Sequence, residues 1–169
     1  MKLKSIIKID ETITLKDDYT NIGFKKLFDY NLCKDGGANL EVNNGEESGT
    51  LYLNKLKVEN IVLNPWENDH EIMDKCKSIS GTDSATIFNL IPFLPTKEER
   101  IKIIKEVLNL VKPNGSVLIH ISEPEKRGNI VEAMSAWEMS QPISFYENEL
   151  KSVFKSIIKK DNYLIIKKE

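Results

Sequence analysis

The sequence predicts an α/β domain with a doubly wound, mostly parallel sheet, helices on both faces and a C-terminal antiparallel hairpin. Short runs rich in Ile, Val and Leu alternate with stretches whose apolar residues recur at helical spacing. Two apolar runs flank Asp161-Asn162 near the C-terminus, which is typical of a closing hairpin. The length of 169 residues suits one domain, so we predict a single unit over 1–169, with 1–35 as an N-terminal strand and helix extension.

The composition excludes several classes of protein. With 40% hydrophobic residues the chain is too apolar to be disordered, and no apolar run approaches the roughly 20 residues that a membrane helix needs. The net charge is −2, so the chain as a whole is not an electrostatic binder of nucleic acid. Acidic residues begin at Asp10, too early for a secretory signal, which predicts a cytoplasmic protein with Cys33 and Cys76 as reduced thiols. These cysteines and the two histidines lack the spacing of metal ligands, so we predict no metal site.

The first half of the chain predicts three strands and two helices before residue 67. Alternation over 2–15 favours a short strand or hairpin, and the spacing of Ile22, Leu27 and Leu32 favours a helix over 19–32. Asp35-Gly36-Gly37 ends that helix. The remaining elements are a buried strand, a helix and a second buried strand, at 38–42, 50–56 and 58–63.

The clearest local signal is the helix that begins after Thr96. Thr96 and Glu99 form a capping-box pattern, and Lys112-Pro113-Asn114-Gly115 ends the helix. One apolar stripe is predicted along it, made of Ile101, Ile104, Leu108 and Val111. Around this helix we predict further helices at 67–77 and 147–154, buried strands at 84–88 and 116–121, and the hairpin strands 157–160 and 163–166.

Folds of this kind bind ligands outside the carboxyl ends of the strands, where the strand order reverses. The segments that follow predicted strands are therefore the ones expected to form a site. They are 41–49, 64–69, 89–93 and 122–127.

From residue 38 to 168, the order of elements resembles the class I S-adenosylmethionine-dependent methyltransferases. The resemblance is greatest over 83–123, where a strand, a helix, a turn of Lys-Pro-Gly-Gly type (Lys112-Pro113-Asn114-Gly115) and another strand follow one another. The terminal hairpin is similar to the antiparallel last strand of that family. The resemblance implies S-adenosylmethionine as cofactor and a small-molecule or nucleic-acid methyl acceptor. The interval between Pro65 and Asp83 is short, which predicts one sheet strand fewer than the family has.

The resemblance also implies which residues bind the cofactor. The family has an acid and then alternating glycines after the first strand, and Glu41 and Gly45 fit that pattern. Asn43 and Glu47 stand where glycines are expected. Asparagine tolerates positive φ, whereas the Glu47 side chain occupies the space and repels the cofactor's carboxylate.

Four further residues carry implied cofactor contacts. Asn64 takes the place of the acid that accepts the ribose hydroxyls, and Trp66 either stacks on adenine or packs under a helix. Asn89 and Leu90 begin a stretch similar to the Asn-Pro-Pro-Tyr motif of base-amino methyltransferases, with one residue too many before Pro92. The alternative is that Asn89 simply ends a strand.

No catalytic residue is identified by sequence alone. His120 lies within an apolar strand, where it is either a satisfied core histidine or a general base. The resemblance implies that the region around Trp137, Met139 and Phe145 closes over the acceptor.

Three hypotheses on function remain open. The first is a small methyltransferase, and methyl transfer needs alignment and desolvation more than a dedicated nucleophile. The second is an inactive, methyltransferase-like binding or regulatory protein that acts through a protein partner or as a homodimer. The third, another nucleotide-dependent α/β protein, has least support, because the chain has neither a P-loop nor a full GxGxxG motif.

Overall fold

The computed structural model describes residues 17–43, 49–67, 70–122, 129–133 and 136–169. The predicted strand at 2–15 and the positions of Gly45 and Glu47 lie outside these ranges. The described strands are β1 (Ala38–Val42), β2 (Glu59–Leu63), β3 (Thr82–Phe88), β4 (Val111–His120), β5 (Asn129–Ala133), β6 (Ala136–Ser140), β7 (Ile157–Lys160) and β8 (Tyr163–Lys167). The α-helices are α1 (Asp17–Asp29), α2 (Thr50–Lys55), α3 (His70–Ser78), α4 (Lys97–Leu110) and α5 (Ile143–Lys151), and a 3-10 turn spans Ile91–Phe93.

Six strands form one mixed sheet in the order β2-β1-β3-β4-β8-β7. The first four are parallel to one another, and β8 runs antiparallel to both β4 and β7. This confirms the predicted doubly wound sheet and its antiparallel hairpin. In the part of the chain that the structure describes, no strand lies beyond β2, so the described sheet has one strand fewer than the family pattern.

The strand order reverses between β1 and β3. From β1 the chain passes through α2 to β2 on one side, and it returns through α3 to β3 on the other side of β1. The helices accordingly fall on two faces: α1 and α2 pack with one apolar cluster, whereas α3, α4 and α5 pack with another. The reversal places the carboxyl ends of β1 and β3 side by side, which is where doubly wound sheets bind ligands.

The helix α4 begins as predicted, and its buried face includes only part of the predicted stripe. Thr96 Oγ1 accepts a hydrogen bond from Glu99 N, and the Glu99 carboxylate accepts one from Thr96 N, which completes the capping box. Of the predicted stripe, Ile104 and Val111 are buried, whereas Ile101 and Leu108 are partly buried and pack against the edge of the same core. Apolar residues cover more than one side of this helix, and docking on the sheet selects the face of Ile103, Ile104, Val107 and Leu110.

The predicted turn after α4 is a bulge within a strand. β4 pairs with β3 through Val111 and again from Ser116 onward, and the register shifts between the two points. The intervening residues 112–115 form the bulge, with Asn114 at φ 65°. Asparagine adopts this left-handed conformation more readily than most residues.

The segment between β4 and α5 holds a feature that the sequence analysis did not predict. β5 and β6 pair antiparallel as a separate two-stranded ribbon, and β6 lies against the 3-10 turn at Ile91–Phe93. α5 also begins earlier than predicted, at Ile143, because the extended Pro142 directly before it starts the helix.

Candidate functional site

Three asparagines mark the edge of the sheet where the strand order reverses. Asn43, Asn64 and Asn89 each directly follow a parallel strand, namely β1, β2 and β3. These strands are neighbours in the sheet, and the backbone N–H of Asn43 donates to the carbonyl of Leu63 at 3.2 Å. The structure therefore brings the predicted cofactor positions on three strands to one edge.

The carboxylate of Glu41 accepts hydrogen bonds from other residues of the protein. Its side chain is buried, and Oε1 accepts a hydrogen bond from Asn43 Nδ2 at 2.7 Å. Oε2 accepts from Asn60 Nδ2 at 2.6 Å and from the backbone N–H of Gly49 at 3.1 Å. Asn43 and Gly49 are the two ends of the segment after β1, so this carboxylate holds both ends of the expected cofactor loop.

A buried polar network connects to Glu41 through Asn60. Asn39 Nδ2 donates to Asn60 Oδ1 at 3.0 Å and to Thr86 Oγ1 at 3.2 Å, and Ser84 Oγ donates to Asn39 Oδ1 at 2.8 Å. This network was not predicted from the sequence. The signal that could have found it is the recurrence of polar residues at every second position of β1 and β3, which puts them all on one face of the sheet.

Asn64 and Trp66 form a tight turn at the end of β2. Asn64 Oδ1 accepts a hydrogen bond from the backbone N–H of Trp66 at 3.0 Å, with the buried Pro65 between them. The indole of Trp66 is partly buried and packs against the core on the α3 side. Its Nε1 is one of the buried side-chain atoms that have no hydrogen-bond partner among the described residues.

Asn89 joins the ends of β3 and β4. It has φ 53°, and its Oδ1 lies 2.8 Å from His120 Nδ1 and accepts a hydrogen bond from Ser122 Oγ at 2.8 Å. Leu90 is buried directly beyond it and precedes the 3-10 turn. Asn89 therefore holds the side chains of His120 and Ser122 in place at this edge.

His120 is a neutral histidine held in one orientation. Burial lowers its pKa to about 4. Because Asn89 Oδ1 is an acceptor, Nδ1 carries the hydrogen. The ring packs at 4.9 Å from the ring of Tyr163 and edge-on to Phe88 at 6.2 Å, measured between centroids.

The low pKa of His120 makes a testable contribution to stability. The unfolded histidine titrates near 6.5 and the folded one near 4, so the unfolded state binds more protons between these values. Stability from this group is present above pH 6.5 and is lost as the pH falls toward 4, by about 3 kcal/mol. Urea unfolding at pH 7.5 and 4.5 should show that the wild type loses more stability than His120→Asn. Equal losses in the two proteins would contradict the prediction.

A cavity of about 280 Å³ lies at the opposite, amino edge of the sheet, between the loop before β1 and the β4 bulge. Asp83 in its wall accepts hydrogen bonds from Ala38 N at 2.8 Å and from Lys112 Nζ at 3.0 Å. Burial acts to raise the pKa of Asp83, but these bonds outweigh it and hold the pKa below its usual range. Asp83 and Lys112, two of the polar residues that line this cavity, are thus paired with each other.

The remaining predictions concern the two cysteines, metal ligands and membrane-spanning helices. Cys33 and Cys76 are both free and buried, and burial raises the pKa of each thiol. Among the residues placed by the structure, no three His, Cys, Asp or Glu side chains converge as metal ligands. Likewise, no helix within the described ranges has the length and apolar character to cross a membrane.

Known structures share this architecture. The chain aligns with the Burkholderia thailandensis 1,6-didemethyltoxoflavin N1-methyltransferase, solved with 1,6-didemethyltoxoflavin and S-adenosylhomocysteine, at a TM-score of 0.59 and 10% identity, covering 96% of this chain and 95% of that one. The glycopeptide N-methyltransferase MtfA gives a TM-score of 0.54 at 13% identity, covering 88% and 94%. This chain has the class I methyltransferase fold.

The methyltransferase fold also occurs in a protein named for other chemistry. The [4+2]-cyclase SpnF matches at a TM-score of 0.59 and 13% identity, covering 92% of this chain and 64% of its own. No family model matches the sequence, and no curated protein matches it either. At these identities the likeness establishes the fold, and the function has to be argued from the site.

Proposed function

We propose that the chain is a small S-adenosylmethionine-dependent methyltransferase that binds cofactor and acceptor along the carboxyl edge of β2, β1, β3 and β4. The observation that carries this proposal is the convergence of Asn43, Asn64 and Asn89 at the point where the strand order reverses. The methyltransferase fold supports it, because this edge is the ligand-binding edge of doubly wound sheets.

The residues present fit a nucleoside-bearing cofactor. Asparagine amides both donate and accept hydrogen bonds, which suits ribose hydroxyls and ring nitrogens. The buried, unpartnered indole N–H of Trp66 at the end of β2 leaves a donor for a ligand to satisfy. Asn64 and Trp66 would face the nucleoside, Asn43 and Gly45 the methionine part, and Asn89 and Leu90 the side toward the acceptor.

Bound S-adenosylmethionine supplies an electrophilic methyl group, and the chain's residues hold the acceptor in line with it. Glu41 is a positioning residue, since it anchors both ends of the cofactor loop. The β5–β6 ribbon lies beside the 3-10 turn, and in this proposal it covers the acceptor and excludes water.

Binding of the cofactor product tests the proposal directly. S-adenosylhomocysteine at 100 times its dissociation constant should raise the free energy of unfolding by about 2.7 kcal/mol, which a thermal-shift assay or calorimetry would detect. ATP and a nicotinamide cofactor serve as controls and should give no shift. A protein that responds to neither S-adenosylmethionine nor S-adenosylhomocysteine at millimolar concentration is not this enzyme, and a response to the controls alone would favour another nucleotide-dependent protein.

The second candidate is an inactive methyltransferase-like protein that works through a partner or as a homodimer. One observation favours it: β2 is the edge strand of the described sheet, so no described strand forms a wall beyond Asn64. Cofactor binding without formation of S-adenosylhomocysteine from any acceptor, together with a stable oligomer or a co-purifying partner, would support this candidate. Methyl transfer that is lost on changing Gly45 to a bulky residue would exclude it.

A further inference from the structure

The cavity at the amino edge of the sheet contains polar groups that the candidate site at the carboxyl edge does not use. Its walls are the segment that follows α1, the start of β3 and the bulge of β4, and its volume is about 280 Å³. A water molecule occupies about 30 Å³ in the liquid, so the cavity has room for a small organic molecule. All of its lining residues belong to the described part of the chain.

Two ammonium groups and one carboxylate line this cavity, from Lys34, Lys112 and Asp83. Lys112 Nζ donates a hydrogen bond to Asp83 Oδ1 at 3.0 Å. Burial acts to raise the pKa of Asp83, but the bonds from Ala38 N and Lys112 and the charges of Lys112 and Lys34 lower it. Both ammonium groups therefore lie close enough to act on this carboxylate. The charges in the lining sum to +1, which attracts an anion.

Asp83 is held in the cavity wall by the backbone. Its Oδ2 accepts a hydrogen bond from Ala38 N at 2.8 Å. The approach depends on Gly37, because a Cβ at that position would lie 2.9 Å from Asp83 Oδ2, closer than a Cβ packs against such an atom. The negative charge of Asp83 is thus a fixed part of the cavity and limits how much negative charge a ligand can bring.

Three donor groups in the lining are available to a ligand. Among the described residues, neither the ammonium of Lys34 nor the side-chain amides of Asn31 and Asn114 have a hydrogen-bond or ion-pair partner. Asn31 and Lys34 belong to the segment after α1, whereas Asn114 belongs to the bulge of β4, so these donors come from two walls. Ammonium and amide N–H groups are donors that carboxylate oxygens accept.

The charge and the apolar part of the lining select among anions. A carboxylate brings one negative charge, which reduces the sum of the charges to zero. A phosphate monoester carries nearly two negative charges at neutral pH, so it leaves excess negative charge beside Asp83. Leu32 and Pro113 also line the cavity and offer apolar surface to the rest of an organic ligand.

We propose that the amino-edge cavity binds a small organic monocarboxylate, with its carboxylate at Lys34, Asn31 and Asn114 and its apolar part against Leu32 and Pro113. β3 runs from this cavity to the candidate cofactor site and spans about 20 Å, so the two sites are separate. The inference therefore does not rest on the proposed function.

A titration of the full chain with sodium butyrate tests this site. Heteronuclear NMR at pH 7.5, with butyrate replacing chloride at constant ionic strength, should show saturable shifts of the side-chain amide signals of Asn31 and Asn114. Butylamine has the same apolar chain with a positive charge and should give no saturable shift at these signals. Butyl phosphate should bind about fivefold more weakly than butyrate, because of its second negative charge.

Replacing Lys34 tests the available ammonium. Lys34→Met should raise the Kd for butyrate at least about tenfold, whereas Lys34→Arg keeps the charge and should bind about as tightly as the wild type. Lys57→Met is the matched control. Lys57 is exposed at the same edge, where its carbonyl accepts a hydrogen bond from Gly36 N at 3.2 Å, but it does not line the cavity. This variant should bind butyrate as the wild type does.

Replacing Asn114 by glycine removes an amide and keeps the bulge. Asn114 has φ 65°, a conformation that glycine adopts without strain, so the urea midpoint of Asn114→Gly should stay close to that of the wild type. We expect its Kd for butyrate to rise about threefold or more, since one donor is lost.

The proposal is overturned by a wild type that shows no saturable shift with butyrate, or by one that binds butyl phosphate or butylamine more tightly. Unchanged affinity in Lys34→Met or in a folded Asn114→Gly overturns it as well. None of these outcomes bears on the binding of S-adenosylhomocysteine, which tests the carboxyl edge separately.

Discussion

Replacing Arg100 by methionine should lower the free energy of unfolding by about 3–5 kcal/mol, the cost of leaving a buried charge without its partner. Arg100 on α4 donates from Nε and Nη2 to the two carboxylate oxygens of Glu149 on α5, both at 2.7 Å. The two side chains are 3% and 9% exposed, and Arg100 also donates from Nη1 to the carbonyl of Leu94. Urea unfolding, read as a shift in midpoint at constant slope, measures the change.

The double variant Arg100→Met with Glu149→Leu is the control for this prediction. Replacing both members of a buried pair with apolar side chains of similar volume is often close to neutral, so we expect most of the lost stability to return. A single variant that loses less than 1 kcal/mol would show that the pair is solvated rather than buried.

Replacing Glu41 by alanine should cost about 3–5 kcal/mol of stability and abolish the stabilisation by S-adenosylhomocysteine. Its carboxylate is the acceptor for the amides of Asn43 and Asn60 and for the backbone N–H of Gly49, and each buried donor left without an acceptor costs about 1–3 kcal/mol. Both ends of the loop after β1 lose their anchor at the same time. Thermal unfolding with and without the ligand measures both effects.

Glu59→Ala is the matched control, because Glu59 lies on the neighbouring strand but is exposed. Its ion pair with Lys75, at 2.7 Å, joins two half-exposed side chains, and such pairs contribute about 0–1 kcal/mol. We expect Glu59→Ala to keep the ligand response. If Glu41→Ala keeps it as well, Glu41 does not position the loop.

Much of the fold was predictable because its signals are local. The strand β1, at 38–42, was predicted with the bounds that the structure gives, because Gly37 precedes this short buried run and a loop follows it. The capping box at Thr96 and Glu99 was predictable because four consecutive residues contain the whole interaction. The hairpin around Asp161-Asn162 was predictable for the same reason.

The predictions failed where the local sequence is compatible with more than one structure. Apolar residues flank more than one side of α4, so periodicity alone could not select the buried face. The β5–β6 ribbon has no short turn signal of the Asn-Gly or Asp-Gly kind, so it was not predicted. At the site, the positions of Asn43, Asn64 and Asn89 were predictable as strand ends, but the bonds of Glu41 and the tautomer of His120 were not.

The sequence by itself determined the alternation of the main-sheet strands with helices and the residues that end β1, β2 and β3, because these depend on spacing and on neighbours within a few residues. Only the tertiary structure decided that Asn60 faces Glu41 and that Asn89 holds His120, pairs separated by 19 and 31 residues. Such contacts are selected by which buried polar groups find partners when the sheet assembles, and a single sequence does not encode that selection in any local pattern.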